Sequence, residues 1–325
     1  MGAYDKDFFK DLQMVFNADE SLSDLVKAEI TRNMAKLKDT KINILMVGAT
    51  GCGKSSTINA LFNTEAAKVG QGVDPETMTI TKYEMRNINI FDSPGLGDGK
   101  DADDKHARKI VAKLYEKDGK GELLIDLVMV ILDGSSRDLG TSFQLINDVI
   151  IPNLGKDKSR LLVAINQADM AMKGRCWNHT TNQPEPELVE FLEKKVRSTH
   201  QRIKEATGVD VEPIYYAAGY KDGDAQQNPY NLSKLLAFIL RHTKPEKRAA
   251  YVNDLNHKNE QWQDDDKRED YRREVRDSVW DSVVYGATAG AKLGGDVGGR
   301  LGSAGKIIGS VIGGALGALG GLFFG

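Results

Sequence analysis

The 325-residue sequence predicts an α/β chain built on a doubly wound, mostly parallel sheet. Strand-like apolar runs alternate with helical patterns between Lys41 and Arg241, and a glycine-rich turn joins the first run to a helix. Two short polar signals follow the ends of later strands, where such sheets place their ligand contacts.

Residues 5–38 read as two helices. Phe8, Phe9, Leu12, Val15 and Phe16 fall on one face of the first; Ser21 with Asp24 caps a second carrying Leu22, Leu25, Val26, Ile30, Met34 and Leu37. Residues 41–47 form a buried strand and 55–62 a helix. Strands at 80–86 and 88–91 lie either side of a short turn. The apolar run 123–132 marks a central parallel strand. A helix near 141–150, a strand at 161–165, a helix at 188–207, a strand at 211–216 and a helix at 232–241 complete the alternation. Residues 245–283 mix both charge signs around Tyr271, Val275, Val279 and Val283, each four apart, and predict a mostly solvated helix with a narrow seam. Four units result: a helical hairpin over 1–40, an α/β domain over 41–244, a charged helical extension over 245–285 and a glycine-rich hydrophobic tail over 286–325.

Hydrophobic residues at 40% and charged residues at 28% describe a soluble core with a solvated surface. The net charge of −3 supplies no electrostatic case for nucleic acid. Cys52 and Cys176 are far apart and lack metal spacing, which predicts a reducing cytoplasm. The N-terminus has no basic segment followed by an apolar run, and no myristoylation pattern, so no leader is expected. The five histidines lack ligand spacing; most read as surface residues, and none is assigned a role.

The chemistry centres on the G-x-x-x-x-G-K-[ST] pattern at Gly48, Gly53, Lys54 and Ser55. Its glycines let successive backbone N–H groups turn inward at a helix N-terminus, a cradle for phosphate formed by Gly48, Ala49, Thr50, Gly51, Cys52, Gly53, Lys54, Ser55 and Ser56. Lys54 reaches the β- and γ-phosphates, and the Ser55 hydroxyl ligates Mg²⁺. Asp92-x-x-Gly95 after a strand offers a carboxylate to Mg²⁺ and a Gly95 N–H to the γ-phosphate. Thr77, fifteen residues before Asp92 in a polar segment, is the leading hydroxyl to close over Mg²⁺, with Thr79 and Thr81 as competitors. Asn166-Gln167-Ala168-Asp169 follows a strand. The Asp169 carboxylate accepts two hydrogen bonds from guanine N1–H and its amino group, a pairing that adenine cannot offer. Ala217-Ala218-Gly219 is a fainter source of a backbone N–H for the guanine carbonyl.

Together these residues resemble the Era-like branch of the translation-factor-related GTPases over roughly residues 41–243. The run from Gly51 to Phe62, with Asp133 and Arg137-Asp138, is most similar to the bacterial YfjP-like and YkfA-like group. Thr77-Met78 and Asp92 to Gly95 bear a looser likeness to immunity-related and dynamin-like GTPases. The resemblance implies a Ras-like G domain, GTP and GDP as ligands, a Mg²⁺ requirement and hydrolysis of GTP to GDP, with Lys54, Thr77 and Gly95 at the reacting phosphate. It also allows a GTP-dependent dimer. Gln167 stands where the family usually has Lys, and Leu96 where Ras-type enzymes have the Gln that orients water. The pattern thus implies weaker base binding and slow intrinsic turnover. Arg137 reads as a surface salt-bridge residue before a charge-stabilising one.

In the tail, glycines recur every four residues from Gly286 to Gly302 and again from Gly305 to Gly325. A smooth helical strip of this kind lets a second helix approach closely. Residues 307–325 carry no charge, a run of nineteen just long enough to span a bilayer. The readings are a glycine zipper associating with the inner (cytoplasmic) membrane, a zipper packing on its own domain or on a second copy, and a low-complexity disordered tail. For the whole chain they are a GTP-hydrolysing switch coupled to its tail, a nucleotide-gated membrane scaffold with little turnover, and a ribosome- or RNA-associated assembly GTPase.

Overall fold

The computed structural model describes residues 8–18, 20, 22–62, 68–70, 80–95, 99–219, 221–222, 225–226, 228–256 and 261–289. Thr77, Thr79, Leu96 and the tail from Gly290 onward lie outside the described residues.

The sheet is built around β1 (Ile42–Gly48), whose seven residues are all buried. β2 (Lys68–Gly70), β3 (Thr81–Glu84), β4 (Ile88–Asp92), β5 (Leu127–Asp133) and β6 (Leu161–Asn166) follow. A small hairpin of β7 (Trp177–Asn178) and β8 (Gln183–Pro184) precedes β9 (Ile214–Tyr215), and a second hairpin joins 221–222 to 225–226. The seven-stranded order is β2-β3-β4-β1-β5-β6-β9. β4, β1, β5, β6 and β9 run parallel; β2 and β3 add an antiparallel edge. Alternate residues serve opposite faces. Ile42, Ile44 and Met46 enter one apolar layer, whereas Leu45 and Val47 enter the other.

The second layer is closed by α4 (Lys100–Tyr115), α5 (Gly140–Gln144), α6 (Ile151–Asn153) and α7 (Pro186–Thr207). A π-helical stretch, Leu145–Ile150, joins α5 to α6. The first layer holds α1 (Phe8–Ala18), α2 (Asp24–Asp39), α3 (Lys54–Leu61), α8 (Leu232–Arg241) and α9 (Tyr271–Ala289). Ser23, not Ser21, caps α2, its hydroxyl accepting from the Val26 N–H, and Leu25 is exposed rather than part of the apolar face.

The stretch expected to be a solvated helix over 245–283 is different. Pro245–Asp254 is a 3₁₀ run that buries Ala249, Ala250, Tyr251 and Val252, Trp262 is fully buried, and the helix begins only at Tyr271. Tyr271, Val275, Val279 and Val283 join the core shared with the sheet. The charges are spent in specific pairs: Arg241 with Glu269 (2.7 Å) and Glu274 (2.6 Å), Lys234 with Asp266 (2.7 Å), and Arg272 with Asp264 (2.9 Å). Trp280 stacks on Phe16, and Asn33 on α2 donates to the Ser282 and Val283 carbonyls.

A buried polar clasp ties this helical layer to β4 and to the ends of α2 and α3. Asp254 accepts the N–H groups of Arg86 (3.1 Å) and Asn87 (2.6 Å) at the turn before β4. The Asn87 amide donates to the carbonyls of Leu37, Lys38 and Thr40 at the end of α2. Asn256 donates through its backbone to Leu61 (2.9 Å) and through its side chain to Ala60, both at the end of α3.

Of Asp264, Asp265 and Asp266, the middle carboxylate meets no cation among the described residues and accepts the Asn231 N–H at 2.7 Å. Burial pushes its carboxyl up to about 7; the Asn231 bond opposes this and the two flanking aspartates add to it. Because the folded value lies above the unfolded one, stability is lost as pH rises from about 4 through 7. Asp265→Asn is expected to raise the unfolding free energy by about 1–3 kcal/mol at pH 8 and by nothing at pH 4, as read by urea denaturation at both values.

Candidate functional site

The phosphate loop leaves β1 at Gly48 and enters α3 at Lys54. Gly51 and Gly53 sit at φ +80° and +88°, backbone conformations that side chains disfavour. A Cβ on Gly53 would also run into the Asn166 amide, so a second constraint acts at this position. The Lys54 ammonium arches over the loop to the carbonyls of Gly48 and Ala49, each at 3.3 Å. Cys52 is buried, and burial pushes its thiol up to about 11, so it remains protonated at neutral pH. Ser55 and Ser56 occupy the first turn of α3, with Ser55 exposed.

Asp92 ends β4, fixed by pairing with Met46 on β1 and Thr81 on β3. That pairing makes Thr81 a strand residue. The Asp92 Oδ1 is buried and has no hydrogen-bond partner. Burial pushes the carboxyl up to about 6 against the opposing pull of Lys54. An orphaned, buried carboxylate oxygen under the influence of Lys54 fits the donor set of a hard cation such as Mg²⁺. Among the described residues no group of three or more His, Cys, Asp or Glu could hold a metal.

The base-side residues converge on the same loop. Asn166, at the end of β6 and buried, donates from Nδ2 to the Cys52 carbonyl (3.0 Å) and accepts at Oδ1 from the Ala218 N–H (3.0 Å). Gln167, at φ +60°, donates to the Gly51 carbonyl at 2.7 Å. Thr57 on α3 meets the Tyr216 hydroxyl at 2.6 Å beneath the loop. Asp169 is buried, and burial raises its carboxyl above the usual range. It faces a cleft of about 410 Å³ shared with Gly53, Ser135, Asn166 and Gly219. Lys195 on α7 holds one wall of that cleft by donating to the carbonyls of Asp133, Gly134 and Ser136. A cavity of about 450 Å³ beside Arg160, His242 and Arg248 lies at the opposite, N-terminal ends of β5 and β6, away from the glycine-rich loop.

Two expectations change here. The Ala217 N–H goes to Tyr230 and that of Ala218 to Asn166, so among the described residues Gly219 alone of the three offered for the guanine carbonyl has an N–H without a partner, at the edge of the cleft. His106 is buried on α4 rather than at the surface, 3.1 Å from the Gly95 carbonyl. Arg137 is exposed and makes no ion pair among the described residues.

Residues 42–145 match the model of the AIG1 family. Over 148 residues the chain is 27% identical to a probable GTP-binding protein EngB of Malacoplasma penetrans, spanning 42% of this chain and 69% of that protein. The chain carries a P-loop GTPase G domain. This G domain is also 31% identical over 121 residues to translocase of chloroplast 108 of Physcomitrium patens, 36% of this chain and 12% of that one. It is 34% identical over 89 residues to cell division control protein 10 of Saccharomyces cerevisiae, 23% of this chain and 27% of that one. The chain thus spans a minor part of the length of those two relatives. Among solved structures it is similar to Toc33 from Arabidopsis thaliana in complex with Mg²⁺ and GMPPNP, at 18% identity, 66% of this chain, 85% of that chain and a TM-score of 0.40.

Asn166→Ala removes the bond to the Cys52 carbonyl and the bond from the Ala218 N–H, and leaves those two buried backbone groups unpaired. Affinity for GDP is expected to fall about 10–100-fold in a fluorescence titration, with a lowered melting temperature.

Proposed function

We propose that this chain binds GTP and GDP with Mg²⁺ and hydrolyses GTP, acting as a switch whose nucleotide state is read through its terminal segments. The observation that carries this reading is the Asn166 bridge, which sets the Asp169 carboxylate and the phosphate loop at the two ends of one cleft. Asp169 accepts from the guanine N1–H and amino group, while Gly219 offers its N–H to the base carbonyl. Gln167, in the usual Lys position, spends its amide on Gly51 and leaves its flat face to the base. Lys54 and the loop N–H groups bind the phosphates; Ser55, Asp92 and, in the same reading, Thr77 hold Mg²⁺. The bound Mg²⁺ supplies charge neutralisation at the β- and γ-phosphates. The Gly95 N–H meets the terminal phosphate.

The finer family placement, near the Era-like YfjP and YkfA group, belongs to the same reading. So does association of residues 286–325 with a membrane or with a second copy, including a GTP-dependent dimer, in the cytoplasm or at the inner membrane. Among the described residues no helix is long and apolar enough to cross a membrane; the charge-free run 307–325 supports the membrane role. Leu96, with no side-chain amide to orient water, favours a second reading: a nucleotide-gated scaffold with little turnover.

The test is phosphate release by the full chain and by a chain ending at Ala289, with and without anionic vesicles, ATP serving as control. The switch predicts hydrolysis of GTP and not ATP, accelerated several-fold by vesicles only in the full chain. Tight GTP binding with negligible turnover in every condition selects the scaffold. Equal use of ATP contradicts both.

A further inference from the structure

Gly95 is held from two sides. On one side lies the phosphate loop: a Cβ at Gly95 would run into the backbone N and Cα of Thr50 and into its hydroxyl. On the other side His106 reaches in from α4, its Nδ1 3.1 Å from the Gly95 carbonyl oxygen. A carbonyl oxygen only accepts, so Nδ1 must carry the proton and donate. The ring is 3% exposed and shares the buried face of α4 with Ile110 and Leu114. The N-terminal end of the same short loop is fixed independently. Asp92 is locked between β1 and β3, and the Ser93 N–H donates to the Met46 carbonyl at 3.0 Å. Residues 93–95 therefore have one anchor in the sheet and a second in α4, and the second is a single side-chain donor.

We propose that His106 is a positioning residue that holds the Gly95 loop against the phosphate loop, so that the placement of α4 is tied to whether a bound guanine nucleotide carries a terminal phosphate. The inference rests on the GTP reading above. Gly95 presents its C=O toward α4, and in the GTP reading its N–H meets the terminal phosphate. A terminal phosphate that recruits the N–H acts on a residue whose carbonyl is already bound to the helix. Without the imidazole donor the loop loses its α4 anchor, and the terminal phosphate must order it afresh on binding, whereas a diphosphate makes no demand on Gly95. The loss is therefore selective between the two nucleotides, which a purely structural histidine does not produce.

Two variants of the full chain separate these roles. His106→Phe keeps ring bulk without a donor, and His106→Gln keeps an N–H donor. The expected result is a roughly tenfold weaker affinity of His106→Phe for a non-hydrolysable GTP analogue, with GDP affinity within about twofold of the unaltered protein. His106→Gln recovers most of the difference. Nitrogen-15 spectra of the unaltered protein, assigned by the signal lost in His106→Gln, are expected to show the Nδ1–H tautomer for His106, a readout that needs no nucleotide. Equal loss for both nucleotides, no loss in His106→Phe, or an Nε2–H tautomer overturns the proposal. Failure of the unaltered protein to bind either guanine nucleotide overturns instead the reading on which it rests.

Discussion

One buried amide joins the two halves of the site. Asn166 donates to a phosphate-loop carbonyl and accepts from the backbone after β9, so segments separated by more than a hundred residues in the chain share one hydrogen-bonded side chain. Each bond contributes about 1 kcal/mol net, but leaving either backbone partner unpaired costs about 1–3 kcal/mol. The geometry around it follows from that constraint. Gly53 has no room for a side chain because the Asn166 side-chain amide occupies the space, and Gly134 has none because the Asn166 backbone carbonyl lies against it. Gln167 adopts a left-handed backbone that carries its amide onto Gly51. The Asp169 carboxylate is buried at the cleft that these residues line.

Behind the site, the terminal helices are part of the same core. Asp254, Asn256 and Asn87 place polar contacts where α2, α3 and the turn before β4 meet. Two of those elements adjoin a segment that carries site residues: α3 follows the phosphate loop, and β4 ends at Asp92. The helix that leads to the glycine-rich tail packs on α2 and α8 within this layer. Buried polar networks of this kind are stabilising only when fully paired, so the arrangement of these elements is tightly specified.

The sheet and the phosphate loop were legible in sequence because their determinants are contiguous: an apolar strand, fixed glycines and a helix start. Asn166 and Asp169 were legible for a related reason, since a strand end is also a place in the fold. His106 was not. Its partner, Gly95, is eleven residues away and reaches it only through the packing of α4, for which no spacing rule exists. The charged stretch after Lys244 was misread because composition registers charges and not their partners. Arg241 meets Glu274 and Lys234 meets Asp266 across thirty or so residues, and those pairs free Tyr271, Val275, Val279 and Val283 to face the core. The Ala217 and Ala218 amides were likewise assigned to a ligand because sequence does not show that Tyr230 and Asn166 already accept them.

The central claim is that Asp169 reads the donor edge of guanine, and base exchange measures it most directly. Xanthine carries a carbonyl in place of the guanine amino group, so an amide at residue 169 can donate to it where a carboxylate cannot. Competition binding of Asp169→Asn against the unaltered protein should show GTP affinity reduced by about 100-fold or more and xanthosine triphosphate preferred over GTP. An Asp169→Asn protein that still prefers GTP, or an unaltered protein that binds ATP as well as GTP, would contradict the account.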